Sequence, residues 1–395
     1  MTTTRDPLNA FLDYPEVPVA SAAEGPLKGL SLAVKDIYDV AGYPTGGGNP
    51  QKEAESPIAE TTAPAVQALL DAGARFIGKT QTDELTFSMM GMNAHFPPPV
   101  NVMARERVTG GSSSGSVAAV AGGLADIGVG SDTNGSIRAP ASFCGLLGLR
   151  TTHGRISMEG AMPLAPSFDT FGWFARDAAV YEAVGAVLLG EDTHSEGLVR
   201  PMRIAELEMR LFGPEERSAY DAMLARVLKR FDRAPGFLAL PGDLEELFTC
   251  FRQIQAYEAW GVHGPFLSQK DRDLGPGIKE RFAYGRSIDS ATVEAARRRR
   301  RDFQADFAAL MGPDMVVILP TQPSAGPLKI ATHDELETYR GKALALTSIA
   351  GLLGWPQISI PLGTVHGAPF GISLMGPAGS DRQLIRLAAD ILSAA

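Results

Sequence analysis

The chain has 395 residues, 45% hydrophobic and 21% charged, with a formal net charge of −9. That is ample for a large core in one domain or two, and it excludes a disordered chain. The acidic balance, with one dense basic run at Arg297–Arg301, argues against a general nucleic-acid binder; two cysteines, Cys144 and Cys250, exclude a disulfide framework, and no Cys/His spacing suits zinc.

A short helix is predicted around Leu8–Tyr14. The N-terminal stretch lacks the apolar core of a signal peptide, and no run approaches the roughly 20 apolar residues of a membrane span, so a soluble, cytoplasmic protein is expected. Ser31–Val40 reads as a buried strand with Lys35 among Leu32, Ala33, Val34 and Ile37. A lysine at a strand end ordinarily snorkels to water. Beyond a Gly/Pro loop at Pro44–Pro50, Ala63–Ala74 has helical periodicity and leads into a strand at Arg75–Thr80, an alternation that predicts a layered α/β architecture. Thr82–Asn93 carries Met89, Met90 and Met92, and clustered methionines more often fill cores than touch ligands.

The stretch Val108–Arg155 carries the chemistry. It holds two hydroxyl clusters set in glycines, Ser112-Ser113-Ser114 and Ser136, and no Gly-Lys-Ser/Thr phosphate loop. Ser116–Leu124 reads as a closely packed helix, and Ala125–Thr133 as a strand delivering Asp132 to a tight turn. On that turn the backbone N–H groups of Thr133, Asn134, Gly135 and Ser136 are candidates for an oxyanion hole, with Ser136 the nucleophile if a base can be found. Arg138 suits a structural ion pair or a site role equally. Gly111–Gly115 also matches G-x-S-x-G with Ser113 as nucleophile, but the preceding NVMARERVT is a poor strand and no histidine lies in a recognisable motif.

Farther on, Ser167–Ala175 is strand-like and Ala178–Leu189 helical. From Glu191 to about Gln304 the sequence turns charged and helical, with segments at Glu206–Arg210, Ser218–Arg230 and Ala291–Ala308, and reads as a helical insertion or lid. Arg297–Arg301 is expected on a solvated helix face. Strands at Met315–Pro323, Gln357–Gly363 and Phe370–Pro377, a helix at Lys342–Leu353 and another from Asp381 close the sheet. One α/β domain over residues 1–395, with the helical excursion at 191–304 inside it, is the economical reading.

GGSSSGS (Gly110–Ser116), the later GSDTNGSIRAPASFCGLLGLRTTHGRIS (Gly130–Ser157) and Val34-Lys35-Asp36 resemble the amidase signature family, worded GGSSGGS then D-x-G-G-S-[IV]-R-x-P, with its lysine in a V-K-D segment. Ile77–Phe96, Ser167–Asp177 and Trp355–Gly363 are most similar to its indole-3-acetamide hydrolase branch. The resemblance implies a single mixed β-sheet core covered by helices on both faces, no metal or organic cofactor, and a Ser–cis-Ser–Lys triad. By position Lys35 is the base, Ser112 the cis-serine and Ser136, 24 residues later, the nucleophile. Ser113, Asp132 and Arg138 support the site. Met89, Met90 and Phe168 would line the substrate pocket.

A lysine serves as base near neutral pH only if burial pulls its pKa down by a few units. Lys35 is therefore expected neutral and bonded to Ser112, whose hydroxyl relays the proton of Ser136. The implied reaction is hydrolysis of a small primary amide to a carboxylic acid and ammonia, with an arylacetamide suggested by the methionine loop, Phe96, Phe168 and Trp173. Asn134, Thr109 and Ser114 depart from the family wording, and the Asn134 side chain is expected to narrow the pocket. Two rival readings are a catalytically silent amidase-like receptor and a glutamine-hydrolysing amidotransferase subunit. Oligomeric state is left open, a homodimer being the commonest soluble assembly.

Overall fold

The computed structural model describes residues 6–394, with ten strands and twelve helices among them. Strand β1 (Ser31–Lys35) lies parallel to β2 (Arg75–Thr80) on one side and to β3 (Ile127–Asp132) on the other, and β5 (Thr170–Phe174) pairs antiparallel with β3. In a second ladder β4 (Gly148–Arg150), β9 (Gln357–Val365), β10 (Ala368–Met375) and β8 (Met315–Pro320) run antiparallel in that order. Two further strands, β6 (Arg200–Arg203) and β7 (Gly236–Phe237), extend it in parallel. The mixed α/β class is borne out, with its strands hydrogen-bonded in two ladders. β3, β8 and β10 are buried throughout, as runs such as MVVILP require when both faces are covered.

Helices α1 (Pro50–Glu55) and α2 (Pro64–Asp71) each start on a proline, whose missing N–H costs nothing in the first turn. Helices α3 (Ser114–Ala121) and α4 (Arg138–Cys144) are short and deeply buried; α3 packs on β3 and β1, α4 on β9 and β10. Helix α5 (Ala178–Leu189), capped by Asp177, packs against the C-terminal α12 (Asp381–Ser393). Between residues 191 and 304 lie β6, α6 (Ala205–Glu208), α7 (Pro214–Leu228), β7, α8 (Leu244–Leu267), α9 (Ile278–Ser287) and the start of α10 (Ser290–Leu310). Helix α11 (His333–Leu353) packs on α8 and α10. It starts earlier than the apolar pattern indicates, because Thr332 and Glu335 form a capping box ahead of its polar first turns.

The helix expected at Leu8–Tyr14 is absent. The Asp6 carboxylate takes the amides of Leu8 and Phe11, Asn9 sits at φ +52°, and the chain runs on so that Phe11 bridges Thr80 of β2. Among the described residues no helix is long and apolar enough to cross a membrane.

Candidate active site

Parallel strands leave an open crevice at their carboxyl ends. Lys35 ends β1 and Asp132 ends the adjacent β3, so the sheet brings a base and an acid to one edge. Lys35 is fully buried; its Nζ donates to Ser112 Oγ at 2.7 Å and to Ser131 Oγ at 2.9 Å. Desolvation pulls its pKa down to about 7, against the pull of Asp83, Asp169 and Asp132 in the other direction.

Ser112 sits two residues before α3, after Gly110 at φ +74°, and the Gly111–Ser112 peptide is cis. Backbone bonds hold this loop, the Asp83 amide donating to Ser112 O and the Gly111 amide to Met89 O, while Asp83 Oδ2 accepts the amides of Met90 and Gly91 at 3.1 and 3.0 Å. A Cβ at Gly111 would run into that carboxylate. Gly111→Ala is therefore expected to displace Ser112 and cut amide turnover at least tenfold while the protein still unfolds cooperatively; circular dichroism melts beside a rate assay check both parts. Ser113 Oγ is bonded to the backbone of Ser131 and lies at zero exposure, so it braces β3 and cannot act as an elbow nucleophile.

The turn after β3 is built on Asp132. Its Oδ1 accepts the Gly135 amide at 2.8 Å, and its Oδ2 accepts the amides of Ile137 and Arg138. Arg138 clamps the same carboxylate with Nε at 3.0 Å and Nη2 at 2.8 Å, and anchors itself to Thr347 O and Gln357 Oε1. Arg150, not singled out in the sequence, adds bonds to Asp132 Oδ1, Asp132 O, Thr133 O and Phe168 O. The two guanidiniums and the backbone donors hold the Asp132 carboxyl well below the usual range although burial opposes them.

Gly135 therefore leaves the set of four oxyanion donors: its amide is spent on Asp132. The Thr133, Asn134 and Ser136 amides carry no hydrogen bond among the described residues. Gly135 has φ +102°, and a Cβ there would press on Thr347. Asn134, which stands where the family wording has glycine, is tied to α11: Thr347 Oγ1 donates to its Oδ1 at 2.9 Å. The Ser136 side chain makes no hydrogen bond among the described residues and lines a cavity of about 20 Å³ with Thr133, Asn134, Met89 and Leu164.

The family model described as Amidase matches residues 13–214 and 256–385. The chain belongs to the amidase family. It is similar to Amidase 1 of Arabidopsis thaliana, 37% identical with 98% of each chain covered, and to Amidase 1 of Oryza sativa subsp. japonica, 34% identical over 98% of this chain and 95% of that one. A solved crystal structure of an amidase superposes with a TM-score of 0.82 at 30% identity, covering 94% of this chain and 85% of that chain. The protein is thus a hydrolase of amide C–N bonds.

Within this amidase, Met89 lines the cavity at Ser136, but two other expected pocket residues do not. Met90 is buried against the core, its amide spent on Asp83. Phe168 stacks on Phe251 with ring centroids 4.2 Å apart, under the Arg300 guanidinium, and is wholly enclosed. Trp173 is likewise core, stacked on Tyr181. In their place stand Thr86, Phe87, Ser88, Gln255, Arg340 and Leu344. Ser131 had a readable signal, since it directly precedes Asp132 on the same strand. Gln255 and Arg340 had none, because α8 and α11 reach the site only through the tertiary fold.

Proposed function

We propose that this amidase hydrolyses a small amide through an acyl-enzyme on Ser136, with Lys35 and Ser112 as the proton relay. One observation carries the reading: a buried lysine at the end of β1, its pKa near 7, donates at 2.7 Å to the Ser112 hydroxyl, while the turn that ends the adjacent β3 carries Ser136, whose hydroxyl has no hydrogen bond among the described residues. Ser136 Oγ attacks the carbonyl carbon while its proton passes through Ser112 to Lys35. The oxyanion is taken by free amides among Thr133, Asn134 and Ser136. Collapse expels the amine, which leaves with the proton returned by the relay, and water then cleaves the ester by the same route. Asp132, Arg138 and Ser113 hold the turn and strand without touching substrate.

The narrow space at Ser136 fits a primary amide, whose leaving group is ammonia. The apolar lining, Phe87, Met89, Leu164 and Leu344, suits a hydrocarbon acyl chain. The support that Phe168 and Trp173 lent to an arylacetamide is gone, since both are core. Residues 1–395 are assigned to one catalytic domain, in which the 191–304 segment supplies the outer wall of the cleft through Arg252, Gln255 and Arg281. Two buried free thiols, Cys144 and Cys250, suit the cytoplasm.

Ammonia release from indole-3-acetamide, phenylacetamide, short aliphatic amides and glutamine tests the reading. Turnover of at least one amide, lost in Ser136→Ala, is the expected result. Activity that survives Ser136→Ala sinks the mechanism, and silence across the panel from a folded protein returns weight to the receptor reading.

A further inference from the structure

The space at Ser136 shares Phe87, Gln255, Arg340 and Leu344 with a neighbouring vestibule of about 480 Å³ lined from α8, α9 and α11. Of the residues lining the inner space, Arg340 is the one charged group. Its side chain is 17% exposed, so the cation sits at the junction of the two spaces rather than in bulk water. The carboxylate in reach is Glu337, at 3.4 Å, which is 42% exposed and is shared with Arg281 at 3.2 Å. Arg281 is otherwise anchored on Phe87 O, whereas Arg340 Nε is buried without a partner. A third cation, Arg252, lines the vestibule and stacks on Phe248 and Tyr284; the remaining acid there, Glu280, is on the exposed rim. Burial, with the neighbouring Arg281 and Arg252 charges, pushes the Arg340 pKa down to about 9.

A guanidinium held in this way lacks a planar anion across its fork. Three arginines share two carboxylates, and the inner end of the cleft has none. We propose that Arg340 is the recognition group for a carboxylate on the substrate, so that the favoured substrates are short amides bearing a free carboxylate away from the scissile bond, such as monoamides of small dicarboxylic acids. The slim space at Ser136 takes the amide end, and the wider vestibule receives the rest. This rests on the reading of Ser136 as nucleophile, and it goes beyond it in naming the charge of the acyl group.

The test separates binding from chemistry. Ser136→Ala protein is titrated calorimetrically with glutaramate and with pentanamide, its neutral counterpart of equal chain length. Glutaramate is expected to bind at least tenfold more tightly, with the advantage lost in Ser136→Ala/Arg340→Gln and partly kept in Ser136→Ala/Arg340→Lys, which retains the charge but not the fork. In parallel, the wild-type ratio of kcat/KM for glutaramate over pentanamide should exceed ten and fall toward one in Arg340→Gln, with thermal melts reporting that each variant is folded. Equal binding of the two ligands, or a preference that Arg340→Gln leaves in place, overturns the proposal. Turnover of pentanamide without a carboxylate preference overturns it and leaves the amidase mechanism standing; preferential glutaramate binding with no turnover of either compound does the reverse.

Discussion

Lys35→Met is expected to lower kcat on amides by on the order of 10⁴- to 10⁶-fold, as loss of one member of a coupled nucleophilic set does, and at the same time to make the protein more stable at pH 7. Both effects come from one fact, that Lys35 is fully buried and its pKa is pulled from 10.5 down to about 7. In the proposed role of base it would work only when neutral, so kcat/KM should rise with pH to a plateau above about 7. The stability effect follows from proton binding. Between about 7 and 10.5 the unfolded chain holds a proton on Lys35 that the folded chain does not, so stability falls as pH drops through that window and levels off below it. Methionine fills the space without that penalty. A gain of about 1–3 kcal/mol at pH 7 is expected after the lost bonds to Ser112 and Ser131 are set against it, shrinking toward pH 10.5. Urea unfolding of wild type and variant across that range measures it, and a flat activity profile from about pH 5 to 9 would remove Lys35 from the role of base.

Asp132→Ala is expected to destabilise the fold by about 3–5 kcal/mol and to abolish turnover with it. The carboxylate stands between two wholly buried guanidiniums, Arg138 and Arg150, and also receives three backbone amides of the turn that carries Ser136. Removing it leaves two buried cations facing each other and unties Gly135, Ile137 and Arg138 together. The same group sets an acid limit. Its folded pKa lies below the ordinary aspartate value, so the stability it contributes is present above that value and is lost as pH falls through the folded one. Denaturant midpoints at pH 7 for wild type, Asp132→Ala and Asp132→Asn check this. A shift under about 1 kcal/mol for Asp132→Ala would mean that the arginines are satisfied without it.

What could be read without the fold was local chemistry. Two serine clusters in glycine-rich turns and a lysine in an apolar strand marked Ser112, Ser136 and Lys35, and the strand and helix periods placed most elements near their observed bounds. The turn donors were readable only as a set: that Gly135 is spent on Asp132 depends on where a carboxylate three residues back points. Apolar type says nothing about which cavity a side chain faces, so Met90 and Phe168 could not be told from Met89.

Tertiary structure alone decided the rest, for a physical reason. Hydrophobic period and turn chemistry report on neighbours within a few residues. The contacts that complete the site join Asn134 to Thr347 and Arg138 to Gln357, and Gln255 and Arg340 line one cavity with Ser136. Those partners lie more than a hundred residues away in the chain and meet only when α8, α11 and β9 come together with the turn after β3. Residue order alone was enough for the family, the fold class and the candidate nucleophile and base; the packing of those helices decided which side chains line the cavity at Ser136, Arg340 among them.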